Sequence, residues 1–200
     1  VTNISMSLVN MLYNLQLVKY AGYDGVVAYG IIMYVGFIFS GTYLGYCVGV
    51  APIVGYHYGA ANTAELKNLF KKSLFLLTSA AVMLTACAEL LSSVLAGIFV
   101  GYNQDLHDMT TNAIQLFALS YIISGINIFA SAFFTALNNG LVSAVISFMR
   151  TLVFQIAFIF ILPELLGLNG IWLAVVGAEI CSLIVSISFF AANRKKYKYV

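Results

Sequence analysis

The sequence predicts an all-α integral membrane fold, a bundle of six transmembrane helices. Hydrophobic residues make up 62% of the 200 residues, and charged residues make up only 8%. Soluble globular domains carry about 25% charged residues, so this chain has too little polar surface to remain in water. Its apolar residues are gathered in stretches that reach the roughly 20 residues a helix needs to cross a bilayer. Composition and segment length together predict a multi-pass membrane protein.

Six apolar stretches predict the six spans, and short segments of turn-forming residues separate them. The spans are predicted at residues 1–18, 26–54, 69–100, 109–137, 141–162 and 170–192, all in one lobe at residues 1–200, with a basic tail at residues 193–200. The second and third stretches exceed one crossing, so we expect them to tilt or to extend beyond the bilayer.

The basic residues are concentrated at two places and predict the orientation of the chain. Seven of the nine Lys and Arg residues lie after the second span or in the tail: Lys67, Lys71, Lys72, Arg194, Lys195, Lys196 and Lys198. With six spans these two places share one side of the membrane, and basic loops face the cytoplasm. We therefore predict that both ends of the chain are cytoplasmic. A second interpretation of the basic tail is a patch that binds anionic lipids.

A glycine motif in the second span predicts close packing of helices. Gly41, Gly45 and Gly49 recur at every fourth position and share one helix face, as in membrane helices that approach each other closely. Pro52 follows and lacks the N–H group that a helix interior needs. We predict that Pro52 breaks the helix and that the glycine-rich segment at residues 55–59 ends it. These glycines and Pro52 are candidates for a structural or gating role.

Two stripes of polar residues run along the first and fourth predicted spans. The stripe of the first span is Asn3, Ser7, Asn10 and Asn14, and that of the fourth is Ser124, Asn127, Ser131, Thr135 and Asn138. A spacing of three and four residues places each stripe on one helix face. One interpretation is hydrogen bonding between helices, and the other is a water-accessible cavity for substrate or ions. The candidate cavity-lining residues are Asn10, Asn14, Asn127, Ser131 and Thr135.

Two charged residues lie at membrane depth, where a charge is unfavourable unless it is paired or hydrated. Arg150 lies in the fifth span, and we predict a structural or gating role in which it reaches lipid phosphates or pairs with a carbonyl inside the bundle. Glu179 lies in the middle of the sixth span and is the deepest carboxylate. Glu179 is therefore the candidate for coupling to a proton or a cation, and Asn127 is a second, neutral candidate.

Catalytic and metal-binding signatures do not occur in the sequence. An intramembrane serine protease needs a Gly-x-Ser-Gly turn with a histidine at depth, and a metalloprotease needs His-Glu-x-x-His, but neither pattern is present. Cys47, Cys87 and Cys181 fall in apolar stretches and are interpreted as small buried hydrophobic residues. We predict no enzymatic activity, no catalytic residue, no metal site, no cofactor and no nucleic-acid partner.

Several motifs, in order along the chain, resemble the second half of the multidrug and toxic compound extrusion (MATE) transporters. One of them is Pro-Ile-Val-Gly-Tyr-His-Tyr-Gly-Ala at residues 52–60, and the order of the motifs along the chain makes the resemblance specific. Residues 22–29 resemble the family's turn between its seventh and eighth helices, and residues 131–140 followed by Arg150 resemble its tenth-to-eleventh connection. Residues 162–179 contain pieces that resemble the entry into the last helix. The resemblance covers essentially the whole chain and is closest to clostridial, gut-type members.

The resemblance implies both a fold and a function. Such transporters have twelve helices in two six-helix lobes that face each other across a central cleft, and they export drugs or organic cations in exchange for Na⁺ or H⁺. By this resemblance the chain is the C-terminal lobe, helices seven to twelve, in a bacterial plasma membrane. Its partners are a missing N-terminal six-helix lobe, the lipid bilayer and small organic cations or drugs as substrates.

The sequence departs from the resemblance at the expected ion site. Some family members carry carboxylates on the seventh and tenth helices, where this chain has Asn10, Asn14 and Asn127. Amide oxygens can help to coordinate Na⁺, but they do not titrate. Two alternatives stay open, namely a flippase for lipid-linked sugars of the same superfamily and a membrane scaffold that does not transport.

Overall fold

The computed structural model describes residues 2–199 of the chain, with the side chains of residues 5–199. Over this range the chain is helical apart from short connections. The elements in order are α1 (Thr2–Gly59), α2 (Thr63–Val100), α3 (Gln104–Ala118), α4 (Tyr121–Ala136), α5 (Gly140–Phe148), a π-helix (Met149–Val153), α6 (Phe154–Leu166) and α7 (Leu168–Tyr197). The predicted all-α membrane fold is confirmed.

α1 consists of two helices that fold back on each other at Gly22. Gly22 has a φ of 63° and a ψ of −151°, a left-handed conformation that glycine adopts because it has no Cβ atom. The hydroxyl of Tyr29 donates to Asn10 Oδ1 at 2.8 Å, and the rings of Tyr13 and Tyr29 stack with centroids 5.0 Å apart. In one straight helix residues 10 and 29 would be about 28 Å apart. The reversal falls at the first residue of the turn between the first two predicted spans.

We call residues 2–21 the first arm of α1 and residues 23–59 the second arm. The second arm continues through Pro52 to Gly59, so the prediction that Pro52 breaks the helix is wrong. Proline removes one backbone hydrogen bond, but the neighbouring turns keep theirs, and a full break inside lipid would leave further backbone groups without partners. The helix ends just before Ala61, which has a left-handed φ of 53°.

The fourth predicted span, at residues 109–137, is broken in the structure. α3 and α4 meet at an angle of 45°. At the bend Ser120 N donates to Phe117 O and Ile123 N donates to Ser120 O, so the hydrogen bonds here span three residues and tighten the turn. The two halves are long and apolar enough for one crossing when they are counted together.

The fifth and sixth predicted spans form a tight helical hairpin. α5, the π-helix and α6 make one continuous helical stretch, and the chain then reverses at Gly167, where φ is 59°. A Cβ atom at Gly170 would overlap the carbonyl of Leu162, so only glycine lets α7 begin this close to α6. α7 continues to Tyr197, so most of the segment predicted as a basic tail is helical.

The described helices supply the six predicted crossings. Four helical stretches are long and apolar enough to cross a bilayer, and the bent α3–α4 pair is a fifth. Because α1 reverses at Gly22, its two arms count as two crossings. The rings of Tyr58 and Tyr197 lie 5.6 Å apart, and Lys67 borders the same pocket as Arg194. The two basic segments therefore lie at the same end of the bundle, which we call the basic end.

The side of the membrane that the basic end faces stays a prediction, and cysteine labelling tests it. Ala60 and Tyr102 are exposed at the two ends of α2, whereas Asn62 and Asn103 cap helices and are best left in place. In a background without the native cysteines, we expect Tyr102→Cys to react with an impermeant maleimide added to intact cells. Ala60→Cys should react only after lysis, because basic loops face the cytoplasm. Labelling of Ala60→Cys in intact cells would contradict this orientation.

Candidate functional site

A buried ion pair joins α7 to the π-helix. Arg150 Nε donates to Glu179 Oε1 at 2.8 Å, and 22% and 3% of the two side chains are exposed. A lone charge at membrane depth is unfavourable, so each side chain is stabilised by the other. The partner of Arg150 is the carboxylate of Glu179, and not the lipid phosphate or the carbonyl inside the bundle that was predicted. The structural or gating role of Arg150 stays a prediction.

Two further buried residues hold this carboxylate. Asn127 on α4 donates its Nδ2 to Glu179 Oε2 at 2.7 Å and to the backbone oxygen of Glu179 at 3.0 Å. Ser186 on α7 donates its hydroxyl to Asn127 Oδ1 at 2.9 Å. We call Arg150, Glu179, Asn127 and Ser186 the charge network. Both carboxylate oxygens of Glu179 have a donor, and hydrogen bonds at low dielectric constant help to fix the carboxylate in one arrangement.

The π-helix sets the position of Arg150. It runs over Met149–Val153, between α5 and α6, and both Arg150 and its neighbour Thr151 border the cavity described next. π-Helical turns are rare and occur frequently at functional sites. The sequence contains no pattern that predicts this turn.

A cavity of about 340 Å³ lies beside the charge network, between the arms of α1, the α3–α4 bend, the π-helix and α7. Both charged residues of the network border it. The other polar side chains of its wall are Asn10, Tyr13, Tyr29, Ser40, Ser120, Tyr121, Ser124, Thr151 and Gln155. The remaining wall is mainly apolar and includes Met6, Met33, Phe37 and Phe117. Apolar and aromatic walls with a few polar groups are typical of small-molecule sites.

The tyrosines of the wall are held by hydrogen bonds. Tyr13 donates to Gln155 Oε1 at 3.1 Å, and Tyr29, stacked on Tyr13, donates to Asn10 as described above. The Tyr43 hydroxyl donates to the backbone oxygen of Tyr121 at 2.8 Å and fixes the α4 side of the wall. Ordered aromatic faces attract cations, so the wall suits a small organic cation.

The structure separates the residues that were predicted to line one cavity. Asn10 borders the cavity, whereas Asn14 lies on an exposed face of the first arm. Asn127 lies behind the wall, in the charge network. Ser131 and Thr135 face α5. The two polar stripes therefore share the cavity wall only through Asn10 and Ser124.

The C-terminal part of the α4 stripe forms a cluster of hydroxyl groups between α4 and α5. Ser131 Oγ lies 2.8 Å from Ser143 Oγ and 2.7 Å from Ser147 Oγ, and Thr135 donates to Ser143 at 2.7 Å. These contacts are the interhelical hydrogen bonds that were the other interpretation of the stripe.

The glycine face of the second arm is open in the described part of the chain. A Cβ atom at Gly41, Gly45 or Gly49 would meet no atom within 4 Å, so the predicted close packing is not observed there. Close approach occurs instead at Gly125, where a Cβ atom would lie 2.8 Å from the ring of Tyr43. The gating role predicted for the glycine face stays a prediction.

The cysteines and possible metal ligands contribute nothing to the site. Among the described residues, no group of three or more His, Cys, Asp or Glu side chains could hold a metal ion. All three cysteines are free: Cys47 is buried, Cys181 is half-buried and Cys87 is exposed. The prediction of burial is wrong for Cys87, because an apolar stretch in a membrane helix can face lipid as well as protein.

The fold and the cavity define a class, a multi-pass helical membrane protein of the transporter type. The chain belongs to the MatE family, whose family model matches residues 1–161. The predicted MATE membership is confirmed, whereas the clostridial, gut-type subgroup stays a prediction.

Named relatives are multidrug export proteins. The chain is 24% identical over 185 residues to the multidrug export protein MepA of Staphylococcus aureus strain MSSA476. The matched residues cover 90% of this chain and 40% of the relative. It is 23% identical over 185 residues to MepA of strain NCTC 8325 / PS 47. The chain therefore spans less than half the length of these relatives.

Solved structures share the fold. An outward-facing multidrug resistance MATE family transporter of the MOP superfamily matches with a TM-score of 0.90 and 20% identity over 100% of this chain and 45% of that chain. An inward-facing structure of such a transporter matches with a TM-score of 0.92 and 20% identity over 98% of this chain and 46% of that chain. A MOP superfamily transporter from Pyrococcus furiosus matches with a TM-score of 0.89 and 19% identity, over 100% and 45% of the two chains.

Proposed function

We propose that this chain forms one half of a cation-coupled antiporter that exports drugs or organic cations across the bacterial plasma membrane, with both ends of the chain in the cytoplasm. The observation that carries the proposal is the cavity beside Arg150 and Glu179, a space with aromatic walls and a carboxylate at membrane depth. The export function in the name of the Staphylococcus aureus relatives supports it. A transporter, and not an enzyme, is the class that these relatives indicate.

The proposal that the chain is a half rests on its length and on its crossings. It covers 40% of MepA and about the same share of the solved transporters, 45% and 46%. A second lobe of similar size would complete a central cleft. The fold matches an outward-facing and an inward-facing structure about equally well, with TM-scores of 0.90 and 0.92. This supports a lobe that moves as a rigid body during alternating access.

An organic cation is the substrate class that the cavity suits. Its lining includes the stacked tyrosines Tyr13 and Tyr29 and the acidic residue Glu179. Cations are attracted to aromatic faces and, in a medium of low dielectric constant, strongly to a carboxylate. In this conformation Arg150 already neutralises Glu179. An arriving cation must therefore compete with the guanidinium group for the carboxylate.

Competition for Glu179 is the proposed coupling step. H⁺ or Na⁺ bound at the carboxylate takes the place of Arg150, and the substrate and the coupling ion then exclude each other at one site. Exclusive occupancy of a site that opens alternately to the two sides produces antiport. Asn127 has a different role from the predicted ion ligand. Its oxygen accepts from Ser186 and its nitrogen faces Glu179, so it holds the carboxylate in place.

The two alternative functions have weaker support. A flippase for lipid-linked sugars must bind a pyrophosphate, which calls for several unpaired cations in the cavity. The cationic side chain of this cavity wall is Arg150, and it is already paired. A scaffold that only binds other subunits has no need of a charged cavity at membrane depth, where such groups mark transport pathways.

The proposal predicts that these 200 residues alone do not export, because one lobe presents half of a cleft and cannot expose a site to both sides in turn. In an efflux-deficient strain, we expect the chain alone to give no more ethidium resistance than an empty vector. Joined to the first half of MepA, the chain should raise the resistance. Minimum inhibitory concentrations, compared at matched amounts of membrane protein, check this.

The joined protein carrying Glu179→Gln is the control for non-specific tolerance of ethidium. Resistance from the chain alone would contradict the half-transporter proposal and favour an exporter made of two copies. A joined protein that is folded and abundant, yet exports no better than the vector, would also count against it.

A further inference from the structure

A basic pocket of about 430 Å³ lies at the basic end of the bundle, away from the cavity. The residues that line it come from the start of α2 and the end of α7: Thr63, Lys67, Arg194, Lys195 and Lys198. Within the described part of the chain, none of these four cations forms an ion pair, since the ion pairs there join other residues. Among the residues that the structure describes, these four cations thus share one concave space without an ion-pair partner.

The C-terminal residues are packed against the bundle, which holds the backbone beside Lys198 in place. The ring of Tyr199 lies 5.0 Å from that of Phe70 and 5.1 Å from that of Phe133, and its hydroxyl donates to the backbone oxygen of Phe190 at 2.8 Å. Burial raises the pKa of the Tyr199 hydroxyl, so this group stays neutral. The segment that carries Lys198 is therefore anchored on both sides.

The acidic residue nearest to the pocket in the sequence, Glu65, forms no ion pair with the cations of the pocket. Glu65 lies in the first turn of α2 and accepts a hydrogen bond from Asn68 Nδ2 at 2.8 Å. Like charges held close together repel each other, and the pocket is therefore suited to a bound anion that removes this repulsion.

We propose that the basic pocket binds the phosphate headgroup of an anionic phospholipid. The pocket lies at the ends of two helices that are long and apolar enough to cross a membrane, and basic pockets between such helices are known lipid headgroup sites. Phe75 lies on α2 eight residues after Lys67 of the pocket, which is about 12 Å along the helix axis. Its side chain is exposed. The exposed apolar side of α2 gives an acyl chain a surface to follow, which a free phosphate ion does not need.

The test compares two triple variants that remove the same charge from the same end of the purified 200-residue chain. The pocket variant is Lys67→Gln, Arg194→Gln and Lys198→Gln. The matched control is Lys71→Gln, Lys72→Gln and Lys196→Gln, three basic residues that do not line the pocket. Phosphatidylglycerol binding is measured in detergent by native mass spectrometry, with phosphatidylcholine as the neutral lipid.

We expect the pocket variant to bind phosphatidylglycerol about 100-fold more weakly, since each basic residue near an anionic lipid contributes roughly fivefold. The control variant should lose at most about fivefold, the contribution of a single nearby basic residue, because its three basic residues do not line the pocket. Equal losses of phosphatidylglycerol binding in the two variants would overturn the proposal, because the binding would then depend on general surface charge and not on the pocket. Displacement of the lipid by inorganic phosphate at the same concentration would also overturn it, because the occupant would then be a soluble anion.

A melting curve in phosphatidylcholine shows whether each triple variant is folded. Should the pocket variant not fold, the single variants Arg194→Gln and Lys71→Gln carry the same comparison. A loss for Arg194→Gln of about fivefold, with no loss for Lys71→Gln, supports the site. Equal binding by these two variants contradicts it.

Discussion

Replacing Glu179 by Gln is expected to lower the free energy of unfolding of the chain by about 3–5 kcal/mol, the usual effect of removing one partner of a buried ion pair. Gln has nearly the same shape, so the loss comes from charge. Arg150 would remain at membrane depth with its carboxylate partner gone. Titration from dodecylmaltoside into sodium dodecyl sulfate, followed by circular dichroism, measures the change.

An exposed ion pair supplies the control for this prediction. Lys19 Nζ lies 3.3 Å from Glu164 Oε1, and 61% and 67% of these side chains are exposed. Exposed ion pairs contribute little to stability, so the free energy of unfolding of Glu164→Gln should be close to that of the wild type. Removing both buried charges with Arg150→Met and Glu179→Leu should recover much of the stability, because no uncompensated charge remains. Equal effects of Glu179→Gln and Glu164→Gln would contradict the account of the buried pair.

The number and approximate position of the crossings could be predicted from the sequence because a bilayer imposes a minimum apolar length. The reversal at Gly22 was also accessible, since the surrounding residues have turn chemistry. The effect of Pro52 could not be read from residue type alone. Whether a proline ends a helix depends on the partners available to the freed backbone groups, and inside lipid the helix itself is the best partner.

The site was only partly predictable. Glu179 and Arg150 were each identified as charges at membrane depth, but their pairing over 29 residues of sequence depends on the register of two helices and on a π-helical turn. Periodicity showed which residues of α4 share a face, but it could not show what that face meets. Ser186 was missed, although it lies seven residues after Glu179 and therefore on the same face of α7.

The second prediction is that Glu179→Gln abolishes coupled export in the protein joined to the first half of MepA. Gln cannot take up a proton and carries no charge to hold Na⁺, so the competition between substrate and coupling ion is lost. We expect export to fall to the level of protein-free liposomes. Glu89→Gln is the matched control, since Glu89 is a half-buried carboxylate of α2 that does not border the cavity.

The double variant Arg150→Met and Glu179→Leu separates folding from coupling. It should be nearly as stable as the wild type, because both charges are removed together, and yet it should not export. Export by this variant at the wild-type rate would show that the charge network is a packing feature and not part of the transport mechanism.

Ion-driven ethidium transport in proteoliposomes tests directly whether Glu179 couples export to an ion gradient. The joined protein is reconstituted, a Na⁺ or a H⁺ gradient is imposed in separate experiments, and ethidium movement is followed by fluorescence. We expect one of the two gradients to drive ethidium against its own gradient in the wild type and in Glu89→Gln, and neither gradient to do so in Glu179→Gln. Ethidium transport that is independent of both gradients, or that Glu179→Gln leaves unchanged, would contradict this coupling.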